Sequence, residues 1–184
     1  MTWRNDPVDV NSLPAFERVA LTPVSARFVP YRIIAALGFW GPFTLIVALT
    51  PLWATVPLPA HAALLAGVLL VGTAAAVLSA LEARRRAFAL RDEDLIHQAG
   101  LVVQRTTVLP VCRIQHVETA SGPLERAFGL MRLTCFTAGG TSGDLVLAGL
   151  RPETAEALRQ HLLERIRARD DAPAASPPED DPLG

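Results

Sequence analysis

Apolar and polar positions divide the chain into stretches of unlike character. From Ile33 to Leu81 no residue carries a formal charge, a run of 49 positions. Two spans fit inside it, 33–53 and 60–81, each close to the roughly 20 residues that cross hydrocarbon as a helix. The linker Ala54-Thr55-Val56-Pro57-Leu58-Pro59 separates them, and its prolines break the helix. Hydrocarbon offers the backbone no hydrogen-bond partners, so both spans are expected to be helices and the unit a transmembrane hairpin. Gly41-Pro42 in the first span removes one ladder bond and is expected to kink it.

Residues 86–169 follow a different pattern. Ala87–Arg91, the acidic turn Asp92-Glu93-Asp94 and Leu95–Ala99 predict strand, turn, strand. Leu101–Leu109 and Val111–Thr119 predict two more strands, with Val111, Arg113, Gln115 and Val117 alternating against Cys112, Ile114, His116 and Glu118. Pro123 and Gly129 bracket one helical turn. Leu130–Thr137 and Leu145–Ala148 are strands around a loop at 138–144. A helix then begins at Pro152, with Ala155, Leu158, Leu162 and Ile166 on one apolar face. Glu153 and Glu156 in its first turn and Arg165, Arg167 and Arg169 in its last suit the helix dipole. Short antiparallel strands at close spacing predict an α+β unit in which a barrel or sandwich is capped by this helix. The unit has about 84 residues, within the range that folds alone.

The remaining stretches carry less pattern. Residues 1–32 form an N-terminal segment in which only Leu13–Leu21 suggests a short amphipathic or extended element. Residues 170–184 hold five acidic residues and four prolines, and are expected to be a disordered acidic, proline-rich tail.

Charge gives the hairpin its direction. Seventeen basic residues, all arginine, face 18 acidic ones, so net charge points to no nucleic-acid partner. Arg27 and Arg32 precede the hairpin, Arg84, Arg85, Arg86 and Arg91 follow it, and the linker has none, which by the positive-inside rule places both termini in the cytoplasm. The first span starts too late and runs too long for a signal peptide. The expected location is the cytoplasmic (inner) membrane, crossed twice. Tyr31 and Trp53 suit the interface, Trp40 packs or faces lipid, and His61 lies at headgroup level near the outer surface.

Pro110, Arg113-Ile114-Gln115-x-Val117, Gly122-Pro123-Leu124-x-Arg126-x-Phe128-Gly129-Leu130 and Thr137-Ala138-Gly139 stand in order behind the hairpin. Over roughly residues 13–169 this arrangement resembles the bacterial pleckstrin-homology-like (PH-like) domain of YdbS-like membrane proteins. The resemblance implies a strongly bent antiparallel sheet of about seven strands capped by a C-terminal helix. It implies no settled molecular activity. His97-Gln98 before Gly100 departs from the branched or basic residues commoner there.

No catalytic or cofactor site is expected. Cys112, His116 and Cys135 are the metal candidates, but positions four apart in a strand lie about 13 Å from each other, so the cysteines read as buried, reduced core thiols. Neither Ser121-Gly122 nor Thr141-Ser142-Gly143 sits in a nucleophile motif, and the 138–143 loop lacks the Gly-Lys-Ser/Thr of a phosphate loop. Two readings remain. In one, the chain is a non-catalytic interaction or scaffold protein, joined to a second copy or another membrane protein through a sheet edge or the Gly122–Leu130 turn. In the other, Arg84, Arg85, Arg86, Arg113 and Arg126 bind anionic phospholipid headgroups, although three flanking arginines fall short of the roughly four to eight that mark lipid recognition. Arg113 and Arg126 also have Glu118 and Glu125 as possible salt-bridge partners. The candidate contact residues are therefore Arg84, Arg85, Arg86, Arg113, Gln115, Arg126 and Phe128.

Overall fold

The computed structural model describes residues 20–52, 54–55, 57–138 and 145–170. The Leu13–Leu21 element falls largely outside these residues. Trp53, most of the 138–144 loop and the acidic tail beyond Asp170 fall outside them too.

Two long helices, α1 (Phe28–Leu49) and α2 (Leu58–Arg85), form the hairpin, with a 3-10 turn at Thr50–Leu52 after α1. Both are long and apolar enough to cross a membrane. α1 starts before Ile33 and stops at Leu49, short of the expected end at 53, while α2 starts at Leu58 and ends after Leu81. Of the charges added there, Arg32 Nη2 and Glu82 Oε2 meet across the hairpin at 3.1 Å. The helix is continuous through Pro42. Trp40 closes onto Gly72, where an added Cβ would lie 3.2 Å from the Trp40 Cβ. Leu37, Phe39, Leu45, Leu64, Leu70 and Leu78 point outward and are exposed, as hydrocarbon solvation requires. At the far end His61 Nδ1 lies 3.1 Å from Thr50 Oγ1, a hydrogen bond that ties the turn together.

Among the described residues seven strands follow the expected antiparallel pattern but form two sheets rather than a closed barrel. The first sheet has the order β1 (Thr22–Pro23), β2 (Ala87–Leu90), β3 (Asp94–Ala99), β4 (Arg105–Pro110); the second has the order β5 (Ile114–Ala120), β6 (Met131–Thr137), β7 (Leu145–Leu150). Between β5 and β6 lies the short helix α3 (Pro123–Ala127), and α4 (Pro152–Asp170) ends the described chain.

β1 precedes the hairpin in sequence, yet it pairs with β2, which follows it: Thr22 opposes Phe88 and Pro23 opposes Ala87. Two residues later Ser25 N donates to Gly149 O of β7 at 2.9 Å. This short segment thus bridges the two sheets. The core accordingly draws on both sides of the hairpin, with Val24 and Phe28 buried alongside Phe88, Leu95, Ile114, Leu133 and Leu147. Burying a side chain of the size of Phe28 contributes about 1.5–3 kcal/mol.

Three expectations on strands need correction. The strand predicted to start at Val111 begins at Ile114, because Val111–Arg113 form a 3-10 turn. A register shift between Ile114 and His116 then leaves Val111, Ile114 and Val117 as the inward residues, three apart instead of two. Cys112 is consequently exposed on the turn, while Cys135 is buried in β6 and burial pushes its thiol up to about 11. The strand predicted at Leu101 begins at Arg105, since residues 100–104 make a tight turn instead.

The capping helix is as the periodicity predicts. Ala155 and Leu162 of α4 are fully buried, Leu158 nearly so, and Ile166 packs at the edge of the same core, over β5 and β6. At its C-terminal end Arg165 Nη2 donates to Asp92 O at 3.0 Å and Arg169 Nη1 donates to Cys112 O.

Candidate interaction surface

The seven candidate residues fall into three places. Arg84 and Arg85 end α2 and are exposed; Arg85 Nη1 donates to Leu101 O at 3.4 Å. Arg86, the single residue between α2 and β2, turns inward. Its Nη2 lies 2.7 Å from Glu82 Oε1, and its guanidinium sits over the Phe28 ring, 5.5 Å from the centroid. Glu82 thereby holds Arg32 and Arg86 together, joining α1, α2 and the first sheet at one carboxylate. Such a half-buried, charge-assisted cluster is worth more than an exposed pair.

Phe128 belongs to the same region through aromatic contacts. Phe28 stacks on Tyr31 at 5.6 Å between centroids, and Tyr31 meets Phe128 edge-on at 6.1 Å. Phe128 is half-buried against the core, so its ring works largely as packing. Arg126, two residues earlier on α3, is exposed.

Arg113 and Gln115 stand apart from that cluster. They are exposed on the Val111–Arg113 turn and the start of β5, and share an open hollow with Cys112, Thr137, Ala138 and Arg169. The glutamates considered as partners for Arg113 and Arg126 are engaged elsewhere. Glu125 is buried and accepts from Gly122 N and from Arg132 Nη2, both at 2.8 Å, which caps α3 and fixes β6 to it. Glu118 lies 3.7 Å from His116 on the exposed face of β5.

Sequence reasoning missed Glu82, Arg32 and Phe28 as organisers of the junction. Glu82 was the legible signal, as the first acidic residue after the uncharged run and four positions before Arg86. His97 on β3 lies close enough to this cluster to feel Arg86, and burial, reinforced by that positive charge, lowers its pKa. Its Nε2 and the Nε atoms of Arg32 and Arg86 are buried with no partner among the described residues. Among those residues no group of three or more His, Cys, Asp or Glu side chains could hold a metal ion.

Among the described residues the first sheet has one open edge of length. β4 has β3 on one side only, and Arg105, Thr106, Thr107 and Val108 are all exposed. The opposite edge is the two-residue β1, stitched to β7 through Ser25.

Comparison with known proteins agrees with this geometry. Two transmembrane proteins of Bacillus subtilis (strain 168) are similar to the chain. It is 28% identical to the UPF0699 transmembrane protein YdbT over 110 residues, 59% of this chain and 22% of that protein. It is 27% identical to the UPF0699 transmembrane protein YdbS over 84 residues, 46% of this chain and 51% of that protein. The chain thus spans about a fifth and about half of the lengths of these relatives. No solved structure matches it significantly. The profile of the bacterial PH domain covers residues 24–166, from the segment that bridges the sheets to Ile166 on the apolar face of α4. This membrane protein, with its two apolar helices and PH-like domain, therefore belongs to the bacterial PH domain family.

Proposed function

We propose that the chain is a membrane-anchored, non-catalytic interaction or scaffold protein that presents its PH-like domain at the cytoplasmic face of the inner membrane. The observation that carries this reading is the open edge of β4. Unpaired backbone groups along an exposed strand are a template for a strand from another chain, and β4 offers four consecutive exposed residues there. The occupant is a second copy or another membrane protein. The arginine distribution at the two ends of the hairpin supports the cytoplasmic placement.

The alternative, recognition of anionic headgroups, is weakened by the same geometry. Arg86 is committed to Glu82 and Phe28 and one Arg85 nitrogen to Leu101 O, leaving Arg84 and the rest of the Arg85 guanidinium exposed. Arg113 and Arg126 sit on separate elements instead of adding to that pair.

Purification of the full chain in mild detergent tests the choice. A stoichiometric partner or homo-oligomer is expected, lost in a Thr106→Lys, Val108→Lys variant and retained in Arg84→Gln, Arg85→Gln. An assembly that survives the lysines and fails with the glutamines would put the lipid reading first.

A further inference from the structure

We propose that the β3–β4 turn, residues 100–104, is a second membrane contact whose apolar tip, Val102 and Val103, inserts at the headgroup–acyl boundary of the leaflet nearest the domain. The placement follows from strand register. Only Arg86 separates α2 from β2, and Ala87, the first residue of β2, pairs with Gln98 next to the end of β3. β3 therefore runs toward the hairpin, and the turn after Ala99 passes the level of Arg86 and comes alongside the last turn of α2. The hydrogen bond from Arg85 Nη1 to Leu101 O fixes that position independently.

The tip is built for an apolar neighbour. Val102 is 92% exposed and Val103 66%, whereas among the described residues no other large apolar side chain outside the hairpin exceeds the 43% of Val146. Two adjacent valines at the end of a turn gain nothing from water, but beside a bilayer they exchange it for acyl chain. Arg85 and Arg105 flank them, Arg85 through its bond to Leu101 O and Arg105 paired to Ala99 at the base of the turn. Arginines so placed lay their stems along the apolar layer and reach headgroup phosphates. The turn holds its shape through Gly100, whose φ is +112°; a Cβ there would fall 2.0 Å from Val103 O. The contact is independent of the partner proposed above and of which side of the membrane the domain occupies.

Fluorescence of the full chain in vesicles tests it. In a Cys112→Ser background, Val102→Cys carries an NBD label, and the reference is Glu93→Cys in the β2–β3 turn at the opposite end of the sheet; Cys135, buried, stays unlabelled. The vesicles contain phosphatidylethanolamine and phosphatidylglycerol, with or without a lipid bearing a doxyl quencher near the top of its acyl chain. The label at 102 is expected to emit to the blue of that at 93, to lose most of its quenching by aqueous iodide, and to be quenched by the doxyl lipid. Iodide quenching equal at the two sites would overturn the proposal. So would a blue shift at 102 without doxyl quenching, which would show protein covering the tip instead of lipid.

Discussion

The ring of Phe28 lies against the backbone of Gly149, so close that a β-carbon at Gly149 would fall 2.5 Å from Phe28 Cγ. One residue opens the first membrane helix and the other lies in the last strand of the domain. Gly149 also has a φ of +82°, a conformation that side chains resist. Gly149→Ala is therefore expected to destabilise the protein by about 1–3 kcal/mol through overpacking alone, before backbone strain is added. Phe28→Ala, which leaves a cavity, should cost about 3–5 kcal/mol. Thermal melts in detergent, followed by circular dichroism, check both; a Gly149→Ala protein melting like the parent would show that the ring can move aside.

A second expectation concerns fragments. Residues 86–170 alone lack β1 and the Phe28 ring, and so lose one edge strand and a buried aromatic from the core. Joining residues 20–29 to 86–170 through a flexible linker in place of the hairpin should raise the melting temperature and sharpen the transition. Equal melting of the two fragments would mean that the bridge between the sheets adds nothing.

His97 should make stability fall in acid. Burial, aided by the positive charge of Arg86, holds its folded-state pKa below the ordinary histidine value of 6.5. Above 6.5 both folded and unfolded chains carry it neutral, and its contribution is unchanged. As pH drops below 6.5 the unfolded chain takes up the proton first, so stability is lost progressively down to the folded-state value. Urea titrations of the parent and His97→Gln across this interval should show a steeper loss on acidification in the parent. Parallel pH profiles would place the imidazole in contact with water.

Thiol labelling checks sidedness. Thr55 lies in the linker at the far end of the hairpin from Cys112, and both are exposed. On intact cells an impermeant maleimide should modify Thr55→Cys, and should reach Cys112 only after permeabilisation. Cys135, with its thiol pushed up to about 11, should stay unmodified in the folded protein. Labelling of Cys112 from outside would invert the orientation.

Long-period features of this fold were legible in the sequence. The uncharged run from Ile33 to Leu81 declared the hairpin, and Ala155, Leu158, Leu162 and Ile166 declared the buried face of α4. Pro123 and Gly129 marked the ends of α3 because each acts through its own backbone. What was hidden depends on single residues meeting at a distance. β1 is two residues long, too short to show alternation, and is a strand only because β2 is beside it. The turn at Val111–Arg113 looked like continued strand, since Val, Cys and Arg carry no local stop, and that misread sent Cys112 to the core. Within the candidate surface the arginines were found but their commitments were not. Arg86 looks like its neighbours in sequence until Glu82 and Phe28 are seen on either side of it.

The strand order also bears on how the chain is made. Thr22 and Phe88 are partners in one sheet, yet the whole hairpin is synthesised between them. They can meet only if the chain has crossed the bilayer an even number of times in the interval. A molecule in which one helix fails to insert leaves β1 and β2 in different compartments, with the seam between β2 and β7 unfilled and Val24 and Phe28 missing from the interior. The sheet can thus be completed only where both ends of the hairpin lie on one side of the bilayer, and a single crossing leaves it incomplete.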